Sequence, residues 1–200
     1  MNRAFLDDRA ARYLHRKDFT QEDFDTAVQA ATIEIGQRLK SQSNEVRLDV
    51  VAGDWSDPQI LPTDYRNMRT IEYAGQRGQR SLSAVSRDFM NKYAAQGGAP
   101  AFYSILAGFE LHVRPYQAQD YSIFYWQEPA ELSQEPDSTN PVLEAYPQMY
   151  LYRVVAELGF LTQDLELAKG YLSLFDDAVG RVNMTTKNAN LGHAPAMRAI

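Results

Sequence analysis

Apolar side chains recur along this chain at two different periods, and the change of period divides it. From Phe24 the positions Ala27, Val28, Ala31, Ile35 and Leu39 follow at helical steps and lay one apolar stripe along a helix. Thr20 followed by Asp23 resembles a capping box ahead of that stripe. Glu22, Asp23 and Asp25 near its start, with Arg38 and Lys40 at its end, suit the helix dipole. A shorter helix is predicted over residues 3–16, with Phe5, Leu6, Ala10, Tyr13 and Leu14 gathered on one side, and Asp18-Phe19 breaks it.

From Asn44 the period becomes two. Val46, Leu48 and Val50 alternate with Arg47 and Asp49, and Ala52-Gly53-Asp54 turns the chain. A second extended stretch surrounds the turn Pro62-Thr63-Asp64, and Gly75 and Gly78 frame a hairpin-like tip. Residues 85–93 read as a short helix opened by Ser83 or Ser86. Three strand-like runs follow at 101–106, 109–113 and 121–126, so the middle third reads as a small antiparallel sheet or sandwich.

Helical spacing then returns. Leu143, Tyr146, Tyr150, Val154 and Leu158 mark one helix over residues 142–160, with Pro147 in its first turn or kinking it. Thr162 is expected to cap the next, whose stripe is Leu165, Ala168, Leu172, Phe175, Val179 and Val182. Gly170 and Gly180 each weaken that helix by about 1 kcal/mol relative to Ala, which suggests close packing or bending there. After Asn183 the pattern ends. The fold class expected is α+β: a helical bundle from residues 1–43 and 141–185, an antiparallel β-rich insertion at 44–140, and an extended C-terminal arm at 186–200.

Composition narrows the function. Of 200 residues, 44% are hydrophobic and 12% aromatic, ample for a packed core, and the formal charge of −6 argues against a basic clamp for nucleic acid. There is no cysteine, which excludes disulfides, thiolate metal sites and a cysteine nucleophile. No apolar run approaches the roughly 20 residues of a membrane span. The first eight residues are acidic where a signal peptide would be apolar, so folding in a cytoplasm is expected.

Catalytic chemistry is sparse. His15, His112 and His193 lie far apart and show no metal-ligand spacing. Residues 75–80 hold glycines and cations but no phosphate-loop lysine, and no Gly-x-Ser-x-Gly elbow occurs. A carboxylate pair of the glycosidase kind needs only to meet in space. Yet Glu22, Asp23 and Asp25 read as helix-start acids, and Asp7-Asp8 and Asp176-Asp177 as solvated helix faces. The alternating aromatics of residues 121–126 could line a sugar groove, although a strand with one face in a core explains them as well. No cofactor and no metal are expected.

The order of features resembles a family. Tyr13-Leu14-His15-Arg16-Lys17-Asp18-Phe19-Thr20, Leu61-Pro62-Thr63-Asp64-Tyr65-Arg66-Asn67-Met68 and Leu82-Ser83-Ala84-Val85-Ser86-Arg87-Asp88-Phe89 form a collinear set. Gly98-Ala99-Pro100-Ala101-Phe102-Tyr103 and Leu111-His112-Val113-Arg114-Pro115 continue it. So do Thr139-Asn140-Pro141-Val142-Leu143 and Tyr146-Pro147-Gln148-Met149-Tyr150-Leu151-Tyr152. The set, over about residues 10–183, is similar to the head-to-tail adaptor, or tail tubular, proteins of tailed bacteriophages.

That resemblance implies a non-enzymatic virion protein at the head-tail junction, made in the bacterial host cytoplasm. It implies a ring, twelve subunits if it matches the portal, docked on the portal protein and continuing the DNA channel to a downstream tail or nozzle protein. Genomic DNA would pass without sequence-specific binding, and no membrane is involved. The tail beyond residue 186 has no counterpart in the resemblance. Its spaced apolar residues Leu191, Met197 and Ile200, with Lys187 and Arg198 and no acid, suggest an arm that orders on the portal. Another tail component, such as a tail completion or tail-tube protein, is the alternative, and a cell-wall hydrolase or carbohydrate-binding module is a third reading.

Overall fold

The computed structural model describes residues 1–15, 19–54, 56–75, 78–93 and 98–191. Helix α1, Arg3–Leu14, is opened by Asn2, whose side chain accepts from the Phe5 N–H at 3.1 Å. Only Leu6, Ala10, Leu14 and Arg3 turn inward, while Phe5 and Tyr13 stay exposed. The buried apolar positions step by four, so the inward stripe is narrower than expected. Helix α2, Gln21–Arg38, begins with the anticipated capping box. The Thr20 hydroxyl accepts from the Asp23 N–H at 3.2 Å and the Asp23 carboxylate accepts from the Thr20 N–H at 2.8 Å. The whole stripe from Phe24 to Leu39 is buried.

The single helix expected over 142–160 is two. Helix α4, Pro141–Ala145, gives way to α5, Pro147–Leu161, at Tyr146, whose backbone is not helical. Proline lacks an N–H and drives the preceding residue out of the α region, so Pro147 starts a helix rather than kinking one. Thr162 ends α5 instead of capping the next helix. Its hydroxyl donates back to the Leu158 and Gly159 carbonyls, and Asp164 accepts from the Leu167 N–H at 3.1 Å as the real cap. Helix α6, Leu165–Leu191, returns along α5. The close approach is at Gly159, where an added Cβ would lie 3.0 Å from the Leu167 side chain. Gly170 and Gly180 face open space, so the close packing expected there is absent.

Residue 186 does not begin an extended arm. Helix α6 runs on to Leu191, because no residue before Gly192 interrupts helix propagation. Residues 192–200 lie outside the described residues.

The chain divides into two compact units, Met1–Asn44 with Glu128–Ile200, and Glu45–Gln127. The strand unit therefore closes at Gln127 rather than near residue 140. The segment beyond Gln127 belongs to the helices: Leu132 lies in their core, and Ser138 and Pro136 accept from the Arg3 and Ala4 N–H groups.

In the strand unit, β1 (Glu45–Val50), β8 (Tyr121–Gln127), β3 (Tyr65–Gly75) and β4 (Gly78–Ser81) form one sheet in that order. The second sheet orders β2 (Gln59–Ile60), β7 (Glu110–Arg114), β6 (Phe102–Leu106) and β5 (Ser83–Ala84). All pairs are antiparallel except β5 with β6. The chain switches sheets at Leu82, whose N–H meets Ile71 of β3, while Ser83 already bonds to Ala101. Helix α3, Arg87–Tyr93, follows β5, and the Ser86 hydroxyl accepts from the Phe89 N–H at 3.4 Å. Ile71, Tyr73, Tyr121, Ile123 and Tyr125 from one sheet meet Leu111 and Val113 from the other in one core. Burial pushes the Tyr65, Tyr121 and Tyr125 hydroxyls up to about 12, so these rings stay neutral.

Two ion networks tie the helices. Arg3, only 2% exposed, donates to Asp7 at 2.9 Å and to Asp25 of α2 at 2.6 Å, so Asp7 is not the solvated acid its sequence context suggests. Burial raises the Asp7 pKa, and the Arg3 hydrogen bonds offset this only in part. Glu34 of α2 accepts from Arg153 of α5 and, at 2.8 Å, from Arg38, which also reaches Asp176 of α6 at 2.7 Å. Burial opposes the Glu34 charge, but the bonds from Arg153 and Arg38 outweigh it and hold its pKa below the ordinary value.

Replacing Arg3 by Met strands two carboxylates and should cost about 3 kcal/mol in chemical denaturation. Asp7→Asn should stay within about 1 kcal/mol at neutral pH, because a raised carboxyl pKa favours the fold below its unfolded value, and that contribution fades as pH rises. Glu34 has the opposite sign. Its contribution is complete above its ordinary value of 4.5 and is lost as pH falls through the lower folded value. Glu34→Gln should therefore lower the denaturation midpoint at neutral pH and converge with the parent in acid; a gap that persists in acid would contradict the network.

Candidate partner-binding face

Along the helical unit, Tyr146, Met149 and Tyr152 on one side and Leu174, Ala178 and Val182 of α6 on the other line an open groove of ≈ 430 Å³. A second hollow of ≈ 280 Å³ shares Tyr146, Arg181 and Val182 with it and carries the groove on to Thr185 and Thr186. Tyr171 extends the aromatic surface past Tyr152, with ring centroids 6.1 Å apart, to Tyr13 of α1, 6.0 Å away and edge-on. Burial, helped by the neighbouring Tyr13 and Tyr152, raises the Tyr171 pKa. Leu174 is 46% exposed in the middle of this face. Tyrosine presents an apolar ring and a wet hydroxyl, a combination enriched where proteins meet.

Asn183 marks where α6 leaves the bundle. Its amide donates to the Arg38 carbonyl at 2.8 Å and accepts from the Lys40 N–H at 2.7 Å, capping the end of α2 from another helix. Beyond it Met184 is 67% exposed, and Lys187 lies exposed on the same helix. Of the arm residues singled out in the sequence, Lys187 is thus helical and Leu191 ends α6, whereas Met197, Arg198 and Ile200 lie outside the described residues.

The residues considered for catalysis do not converge. Asp23 is committed to its capping box, and Asp25 to Arg3, Gln21 and Gln134. Glu22 lines a polar hollow of ≈ 300 Å³ with Asp25 and Glu131, over the buried Arg3. Asp8, Asp176 and Asp177 pair with Arg12, Arg38 and Arg181. His15 ends α1 with a left-handed backbone, φ 52°. His112 lies on β7, 3.4 Å from Asp57 and 4.0 Å from Glu110, and His193 is outside the described residues. Among the described residues no group of three or more His, Asp or Glu side chains could hold a metal ion, and no helix is long and apolar enough to cross a membrane. Tyr121 and Tyr125 are spent in the strand core, and on the opposite face Arg47 covers Phe124 at 5.7 Å.

The sequence reading placed Tyr146 in the core stripe and passed over Tyr152, Tyr171 and Leu174. The available signal was that the last two are large apolar residues of α6 lying off the stripe from Ala168 to Val182.

If Asn183 sets where α6 leaves the bundle, Asn183→Ala should speed amide exchange in residues 184–191 while α5 stays protected. It should cost about 1–3 kcal/mol through the groups left unpaired. Unchanged exchange beyond residue 183 would show that this tie does not hold the helix end.

Over residues 1–198 the chain matches the family described as SU10 adaptor protein. No curated protein matches it.

Proposed function

Because the chain belongs to the SU10 adaptor family, a family of bacteriophage structural proteins, we propose that it is the head-to-tail adaptor ring subunit. In this reading it docks on the portal protein, continues the DNA channel and hands it to a downstream tail or nozzle protein. The observation that carries the reading is the uncovered tyrosine-lined groove beside a helix end that runs past its last tie, Asn183. A ring built by rotation needs two unlike surfaces on each subunit, one receiving and one projecting. The groove supplies the first and the end of α6 supplies the second. Twelve subunits would match the portal. The net charge of −6 supports passage of DNA without sequence-specific grip. Lys187, Leu191, Met197, Arg198 and Ile200 are the proposed portal contacts, now as a helix end and the residues after it. No enzymatic role is proposed: Asp23 is committed to its cap, and Asp25 and Asp176 to ion pairs.

Mass measurement of the full chain mixed with portal should show a closed complex that depends on portal; a dimer or tetramer indifferent to portal would sink the reading. A chain ending at Leu191 should keep its melting temperature, because the buried core ends earlier, yet bind portal at least about tenfold more weakly. Equal binding by the truncated chain would remove residues 192–200 from the contact.

A further inference from the structure

The basic residues of this acidic chain are not evenly placed. Between Tyr73 and Arg87 the sequence holds three arginines and no acid. Lys92 follows on α3, where Asp88 is the sole acid. The described part of this segment is exposed along β4, all four of whose positions face solvent, and β4 is an edge strand paired only with β3. Arg80, Arg87 and Lys92 are exposed, and none forms an ion pair with another described residue. Many arginines elsewhere are spent: Arg3, Arg38, Arg69, Arg114 and Arg153 all sit in ion pairs.

The surroundings point to one kind of partner. Gln79, Ser81, Ser83 and Ser86 separate the cations, and Gly78 turns the hairpin with φ +102°, a conformation side chains resist. Phe89 packs against Phe102 at 5.1 Å, and Leu82 and Met90 are buried, so apolar groups anchor the segment from beneath. Protein interfaces centre on apolar and aromatic side chains, whereas phosphate contacts draw on Arg, Lys, Ser, Gln and backbone N–H groups. We propose that β4, β5 and α3 touch the phosphate backbone of duplex DNA through Arg80, Arg87 and Lys92, without reading sequence. This rests on the adaptor reading, in which the genome passes through the ring. Three exposed cations with no acid paired to them among the described residues, on a chain of net charge −6, make a contact that guides DNA without holding it.

The test is fluorescence anisotropy of a labelled duplex with the full chain, between about 50 and 200 mM salt. Three neutralised phosphates predict a slope of log affinity against log salt near about −2.7. The double variant Arg80→Glu, Arg87→Glu should bind at least about tenfold more weakly, with a slope nearer about −0.9. The variant Arg12→Glu, Lys169→Glu changes net charge equally on the helical unit and should stay within about twofold. Equal weakening by both pairs would mean only the overall charge is felt, and absence of salt-dependent duplex binding in the parent would be equally fatal. Portal binding, measured in parallel, separates the two readings. If the Arg80/Arg87 variant loses portal but keeps duplex, the face is a protein contact and the proposal fails. If the parent binds duplex but not portal, the adaptor reading falls and the DNA contact stands.

Discussion

Helix α5 has buried apolar side chains around nearly its whole circumference, from Met149, Tyr150 and Leu151 to Val154, Val155 and Leu158. A helix of that kind must be surrounded, since each such side chain left in water forfeits roughly 1.5–3 kcal/mol. Its neighbours come from both ends of the chain: α1 and α2 before the strands, α4 and α6 after them. No contiguous stretch can enclose α5, so the strands have to be an insertion within the helical unit. Enclosure is also incomplete. Tyr146, Tyr152 and Leu174 border a groove that the chain's described helices leave open.

Polar groups decide where the helices stop. Asn140 caps α4 through the Leu143 N–H and, with its amide, bonds to the Ala130 carbonyl and the Tyr150 hydroxyl, all within hydrogen-bonding distance in the core. Arg3 sits buried between Asp7 and Asp25, and Arg153 between Glu34 and Glu157. Such groups are costly to strand, so they specify one arrangement of α1, α2 and α5 rather than adding much net stability. Asn183 does the same for the exit of α6. Past it, Met184 and Lys187 stand exposed, which is the property a contact element in an assembly needs.

The strand unit solves a different problem. Its two sheets share one core, and the chain crosses between them at Leu82. That crossing leaves β4 at a sheet edge, paired only with β3, and its Arg80 exposed. Across that one ladder Glu72 stands opposite Ser81 and accepts from Gln79, which leaves Arg80 opposite Tyr73.

Periodicity alone determined the α+β class, the stripe of α2, the strand positions and the capping box at Thr20, because these depend on neighbours within a few residues. Local signals misled where a neighbouring residue or a distant partner outweighed them. Of the two readings of Pro147, it opens a helix rather than bending one, because proline keeps the preceding Tyr146 out of the α region. Thr162 lost its expected cap role to Asp164, which lies at the start of α6. Arg3 and Asp7, polar in sequence and ordinary on a helix surface, were drawn inward by Asp25, which lies 22 positions from Arg3. Tyr152 and Leu174 lie off the apolar stripes, and no local signal said whether they would be covered. Only the packing of α5 against α6 decided that they would be left at the surface, because a side chain's burial depends on what the rest of the chain can bring over it.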